Sequence, residues 1–142
     1  MELVRHLLER KPVGVISIRP DAPVLDAIRL MAEHGTGSVL VMRGSTLVGI
    51  VSERDYARKV VLKGRASAST PVADIMSTPV VTVGPDETVQ RCMQLMTERR
   101  FRHLAVIEDG RVSGVISIGD LVKAMLELQK LEIAQLQQYI SG

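Results

Sequence analysis

Two short stretches place a hydroxyl three residues before a carboxylate: Ser52 and Asp55 in "GIVSERD", and Ser117 and Asp120 in "GVISIGD". Each follows an apolar run and opens a helical pattern, so each sits where a strand hands over to a helix. Two chemistries suit such a junction. The serine can accept from a first-turn amide while the acid faces the positive end of the helix dipole, which is capping. A carboxylate projecting there can also accept from both hydroxyls of a ribose cis-diol, as an acidic residue does in dinucleotide-binding folds. The two roles are compatible, and the spacing leaves both open. Arg54 puts a cation in a first helical turn, against the dipole. A nearby anion would remove that conflict, and so would a guanidinium turned to water. The counterpart of Arg54 is the neutral Gly119, so the two junctions are expected to differ.

A second constellation is "ERRFRHLAV", where Arg99, Arg100, Arg102 and His103 surround Phe101. The matching stretch upstream, "EHGTGSVLV", offers only Gly35, Thr36, Gly37 and Ser38. If the two face each other, a bulky basic segment lies beside a small, open one. Small residues let a ligand approach the backbone, and arginine presents a planar fork to phosphate oxygens. For Arg99 and Arg100 a solvated helix end is the expected role, since cations suit a C-terminal dipole. The basic span Arg58, Lys59, Lys63 and Arg65 reads as solvated surface, because no aromatic residues interleave it in the manner of a nucleic-acid reader.

Other chemistry finds little support. His6, His34 and His103 do not fall into metal-ligand spacing, and no Ser, Cys or Lys stands in a recognisable nucleophile motif. Cys92, the one cysteine, lies in an apolar helical stripe and reads as a small buried hydrophobe. A net charge of +2 is too small to imply nucleic acid. No apolar run reaches the roughly 18 residues of a membrane span, and the charged N-terminus lacks a signal-peptide core, so a cytoplasmic protein without membrane contact is expected.

The elements that must position these residues follow from an internal repeat. Val15 aligns with Val80 and Asp55 with Asp120 at a constant offset of 65, and Pro20, Asp21, Val24, Leu30, Met31, Glu33, Val41, Gly49 and Ser52 recur at their partners. Each unit reads β-α-β-β-α. Strands are expected at 15–18 and 80–83, helices with Val24, Ala27, Ile28, Met31 and Val89, Cys92, Met93, Met96 inward, and hairpins at 38–42 with 47–52 and 104–107 with 112–117. Short helical leads precede each unit, and "LKGRASASTPV" reads as the linker. A unit of this size buries too little apolar surface to stand alone, so the two are expected to pack face to face around a shared cleft. The division is residues 1–66, 67–126 and a helical extension over 127–142, whose surplus amphipathic helix suits a second subunit.

Twice in order, "DIMSTPVVTVGPDETV", "LMTERRFRHLAVIEDGRVSGVISIGDL" and "GIVSERD" resemble the CBS domain family, and specifically its tandem pair, the Bateman module. The resemblance spans residues 4 to 126. It implies an α+β fold of two β-α-β-β-α repeats packed with pseudo-twofold symmetry, with the long C-terminal helix added. It implies an adenosine-containing ligand, AMP, ADP, ATP or NAD, with Asp55 and Asp120 on ribose beside Ser52 and Ser117. Arg102 and His103 then reach phosphates in the partner repeat, Ser17 and Thr82 stand near adenine or ribose, and Ala22 lies at the pocket wall, where Glu87 departs from the pattern. Thr36, Gly37, Arg54 and Phe101 complete the expected site. Ile50, Val51, Val115 and Ile116 are expected mainly in the core, with Ile50 and Ile116 also forming an apolar slot for adenine. The implied protein is a regulatory, non-catalytic homodimer acting on another protein in signal transduction. Two alternatives are an enzyme using Asp55 and Asp120 as acid and base, and a ligand-free dimerisation piece.

Overall fold

The computed structural model describes residues 2–11 and 14–141. A lead helix α1 (Val4–Arg10) precedes β1 (Ser17–Ile18), α2 (Val24–His34), β2 (Ser38–Arg43), β3 (Thr46–Ser52) and α3 (Glu53–Tyr56), which continues as a π-helical turn over Ala57–Val61. A 3₁₀ turn (Val72–Asp74) then leads into β4 (Thr82–Val83), α4 (Val89–Arg99), β5 (His103–Glu108), β6 (Arg111–Ser117) and α5 (Ile118–Ser141). The expected β-α-β-β-α order therefore holds twice. β1 and β4 are shorter than expected. Their parallel ladders span only Ser17 to Ile18 and Thr82 to Val83, and Val15 lies exposed ahead of the first.

Local chemistry explains the elements. α2 buries Val24, Ala27 and Met31, and α4 buries Val89, Cys92 and Met96, while Ile28 and Met93, the other two residues of the expected stripes, are half-buried against the same cores. Burial pushes the Cys92 thiol up to about 11, with Glu87 adding to the rise, so the sulfur is an uncharged core group. Each sheet carries its strands in the order parallel pair, then antiparallel hairpin, and both hairpins shift register at matching points, Val41/Met42 and Val106/Ile107. Positive φ at Gly44, and at Asp109 and Gly110, closes the two-residue turns. The stretch expected as a linker is bonded to the domain: the carbonyls of Thr70 and Ser67 accept from the Val24 and Leu25 amides at 2.8 and 3.0 Å. They serve the first turn of α2, whose N-cap Pro23 offers no side-chain oxygen.

The two repeats pack with pseudo-twofold symmetry, and they exchange their leads. Val4 and Leu7 of α1 belong to the core of the second repeat, with Leu104, Ile116 and Leu121. Val72 and Ile75 belong to the core of the first, with Val39, Val41 and Val51. The shortage of apolar surface in one repeat is thus met by a segment bordering the other. Close approach of each lead needs a glycine on the sheet. A Cβ at Gly49 would stand 2.5, 2.9 and 3.1 Å from Met76 Sδ, Cγ and Cβ, whereas one at Gly114 would meet only the tip of Leu8, at 2.6 Å from Cδ2. Leu8 can rotate away and Met76 cannot without moving its backbone. Gly49→Ala is expected to cost about 1–3 kcal/mol of stability, as overpacking does, and Gly114→Ala less, measured by urea unfolding.

Candidate functional site

Both junctions are capped. The Asp55 amide donates to Ser52 Oγ at 3.1 Å while the Ser52 amide donates to Asp55 Oδ2 at 2.9 Å. The second junction repeats this, with the Asp120 amide to Ser117 Oγ at 3.1 Å and the Ser117 amide to Asp120 Oδ2 at 2.8 Å. The first helical amide beyond each serine is also held, Glu53 N to the Gly37 carbonyl at 3.0 Å and Ile118 N to the Arg102 carbonyl at 2.9 Å. Capping thus ties the segment before each hairpin to its own junction.

Two adjoining cavities open at these junctions. The larger, of about 590 Å³, is lined by Gly37, Ile50, Ser52, Glu53, Arg54, Asp55, Arg58, Lys59, Ser77, Arg100, Phe101, Arg102, His103, Ser117 and Ile118. The smaller, of about 370 Å³, takes Thr36, Gly37 and Ser38, His103, Val115, Ser117, Asp120 and Lys123, together with Leu8, Arg10, Lys11, Gly14 and Ile16. They share Gly37, His103 and Ser117, so the basic segment does meet the open one. The fit at Gly37 is close: an added Cβ would lie 3.2 Å from Glu53 Oε1 and 3.5 Å from His103 Nε2.

Of the residues expected to bind, Thr36, Gly37, Ile50, Ser52, Arg54, Asp55, Phe101, Arg102, His103, Ser117 and Asp120 line one or both cavities. Ser17, Ala22, Thr82 and Ile116 line neither. Ile116 is fully buried in the second core, and Val115, which alternates with it along β6, faces the cavity instead. Glu87 also lies away from both, its Oε1 accepting from the Thr88 amide at 3.1 Å. The leads supply what the sequence reading missed. Ser77 and Lys11 reach these cavities from segments distant in sequence, and Arg58, Lys59 and Arg100, all expected as solvated surface, line the larger one.

The two acids differ in what they already hold. Asp55 Oδ2 accepts from the Ser52 amide and hydroxyl, at 2.9 and 3.0 Å, and Oδ1 from the Ser77 hydroxyl at 3.0 Å. The Lys59 ammonium stands 3.1 Å from Oδ1 and donates to the Ile75 carbonyl at 2.9 Å. Three hydrogen bonds and the Lys59 ion pair thus crowd a carboxylate with four lone-pair sites, and its side chain is 12% exposed. Asp120 Oδ2 accepts from the Ser117 amide and from Lys11 Nζ at 2.9 Å, while Oδ1 receives no hydrogen bond among the described residues. Its side chain is 25% exposed. Burial works to raise the Asp120 carboxyl, but Lys11 and the Ser117 donors outweigh it and hold the group below its ordinary value. His103, on the wall between the cavities, is lowered, first by burial, then by Lys11 and Arg102, against an upward pull from Asp120 and Asp55. The imidazole is therefore neutral near pH 7.

A fold of two such repeats with polar junctions around one cleft is that of a CBS pair. The family model described as "CBS domain" matches residues 4–62 and 72–127, and the chain belongs to the CBS domain family. The "CBS domain-containing protein CBSX3, mitochondrial" of Arabidopsis thaliana is 42% identical over 127 residues, covering 86% of this chain and 62% of that protein. This chain thus spans less than two thirds of that relative. A structure of a CBS-domain protein from Burkholderia ambifaria superposes with a TM-score of 0.84 at 47% identity, covering 88% of this chain and 94% of that one. The CBS domain protein PAE2072 from Pyrobaculum aerophilum, complexed with AMP, shares the fold with a TM-score of 0.76 at 24% identity, covering 90% of this chain and 98% of that one. This chain is built as a CBS pair. Among the described residues, no helix is long and apolar enough to cross a membrane.

Proposed function

We propose that the chain binds an adenosine-containing nucleotide, AMP, ADP, ATP or NAD, in the cleft between its repeats and reports energy or redox state to a partner protein. The observation that carries this reading is Asp120. Its carboxylate is ionised, partly exposed, held in place by a cap, and keeps one oxygen open to a ribose diol beside basic side chains that suit phosphate. The AMP held by the Pyrobaculum protein of the same fold supports the choice of ligand. Residues 1–66 and 67–126 act together as one module, and a homodimer suits the exposed apolar residues Leu126, Ile133, Leu136 and Ile140 of α5.

Thermal shift with each of AMP, ADP, ATP and NAD tests the reading, since a ligand bound to the native state alone raises the melting temperature. At a hundred times its Kd a ligand adds about 2.7 kcal/mol. No shift with any of the four at millimolar concentration overturns the reading.

His103 adds a pH dependence. A phosphate beside the neutral imidazole favours the protonated form and raises its pKa, so binding takes up a proton. The gain in affinity is therefore absent well above the pKa of the bound state and grows as pH falls through the interval down to the lowered pKa of the free protein. Between about pH 7.5 and 5.5, AMP affinity of the native chain relative to His103→Gln is expected to rise by up to roughly tenfold, about one pKa unit of coupling. The comparison with His103→Gln removes the ionisation of the phosphate itself. A ratio that stays flat, read by calorimetry, excludes His103 from the phosphate.

A further inference from the structure

The two cavities are unequal beyond the difference between Arg54 and Gly119 that the repeat shows. A ribose diol needs two acceptor sites on its carboxylate, and Asp55 already accepts three hydrogen bonds, from the Ser52 amide and hydroxyl and the Ser77 hydroxyl, with the Lys59 ammonium beside Oδ1. Asp120 offers its whole Oδ1. The lysine on each acid comes from a different place. Lys59 lies on the helix that follows its own junction, where the second repeat has Ala124, and Lys11 lies on the exchanged lead, where the other lead has Met76.

Positive charge is unequal in the opposite sense. Four arginines line the larger cavity, Arg54, Arg58, Arg100 and Arg102, and among the described residues none of them has a carboxylate within 4.0 Å. Outside the cavity Arg5, Arg10, Arg19, Arg29 and Arg65 pair with acids while Arg43, Arg91, Arg99 and Arg111 do not among the described residues, so what sets the cavity apart is that four unpaired arginines share one wall. Within the cavity Lys59 neutralises Asp55, which leaves Glu53 as the one opposing charge. Arg100 is also held at a backbone cost. It ends α4 in the left-handed conformation, φ 57°, at the position where α2 ends in Gly35, φ 63°. A side chain in that conformation costs on the order of 1 kcal/mol relative to glycine, and strain of this kind collects at functional sites.

We propose that the two cavities form one bipartite site for a single nucleoside polyphosphate. Its ribose rests on Asp120, and its phosphates pass His103 to lie among Arg54, Arg58, Arg100 and Arg102. Asp55 then serves the fold rather than the ligand. The shared walls at Gly37, His103 and Ser117 give the passage. This assignment rests on the nucleotide-binding reading above and adds to it the stoichiometry, the ligand class and the division of labour.

Calorimetry without added divalent metal, using adenosine, AMP, ADP, ATP and inorganic tripolyphosphate, tests it. One nucleotide per chain is expected, with affinity rising at least tenfold from AMP to ATP and with tripolyphosphate competing against ATP. Asp120→Asn is expected to weaken adenosine at least tenfold and tripolyphosphate less. Arg100→Gly is expected to weaken ATP and tripolyphosphate at least threefold and adenosine less. Because Arg100→Gly relieves a left-handed residue, its melting temperature is expected not to fall, and a melting curve taken beside the calorimetry separates unfolding from loss of binding. Two nucleotides per chain, or equal affinity for AMP and ATP, overturns the bipartite site while leaving nucleotide binding intact. Failure of every adenine compound to bind overturns both.

Discussion

Asp120→Ala is expected to lower the affinity of the chain for an adenine nucleotide by about 1.5–3 kcal/mol, the range for hydrogen bonds to a charged group, which is roughly ten- to a hundredfold or more in Kd. The loss arises because the diol exchanges a fixed carboxylate for water or an apolar methyl. Asp55→Ala is expected to act on stability instead. Its carboxylate accepts three hydrogen bonds and pairs with Lys59, so its removal leaves the Ser52 amide and the Ser77 hydroxyl without their acceptor and the Lys59 ammonium, still on the Ile75 carbonyl, without its counter-charge. Asp120→Ala carries a stability cost as well, since the Ser117 amide loses its acceptor and Lys11 keeps only the Val115 carbonyl. The distinction lies in binding, and calorimetry on both variants at a temperature where each is folded measures it. Equal losses of affinity would show that Asp55 gives up its present partners to hold a sugar.

Ile75→Ala is expected to destabilise the first repeat by about 2–5 kcal/mol, the range for emptying a buried aliphatic site, although Ile75 follows the linker and precedes the second repeat in sequence. Ile75 is 1% exposed and packs in one core with Val39, Val41 and Val51. Leu7→Ala is expected to do the converse, loosening the second repeat from the N-terminal lead. Hydrogen exchange reads both: with Ile75→Ala the amides of β2 and β3 lose protection first, and with Leu7→Ala those of β5 and β6. The opposite assignment would mean that each lead stabilises the repeat that follows it, and the exchange of leads would be wrong. The same exchange couples the site to the cores. Lys11 and Ser77 sit at the ends of the leads, so the donors that set the state of each acid are placed by packing in the opposite repeat.

Much of this was legible in the chain itself because its causes are short-ranged or periodic. The offset of 65 residues, the inward stripes of α2 and α4, the hairpins and both serine caps depend on neighbours within a few positions, and the structure has them all. From sequence Arg100 reads as a solvated helix end, and that it sits in the same left-handed seat as Gly35 and lines a cavity comes only with the structure. Pairing across the repeats also drew the basic segment and the open segment into one cleft.

Tertiary structure alone decided which acid is open. Ser52 and Ser117, with Asp55 and Asp120, are the same motif twice, and the residues that differ between them, Glu53 and Arg54 against Ile118 and Gly119, are not the donors that set the two acids apart. The difference comes from Ser77 and Lys59 at one carboxylate and from Lys11, 109 residues away in sequence, at the other. Strand alternation likewise turned Val115 rather than Ile116 toward the cavity, a matter of which face β6 lays on its core. Periodicity dictates elements and their caps because those involve adjacent residues. The number of acceptor sites left on a carboxylate depends on every donor that folding brings to it, and such a count exists only once the chain has closed on itself.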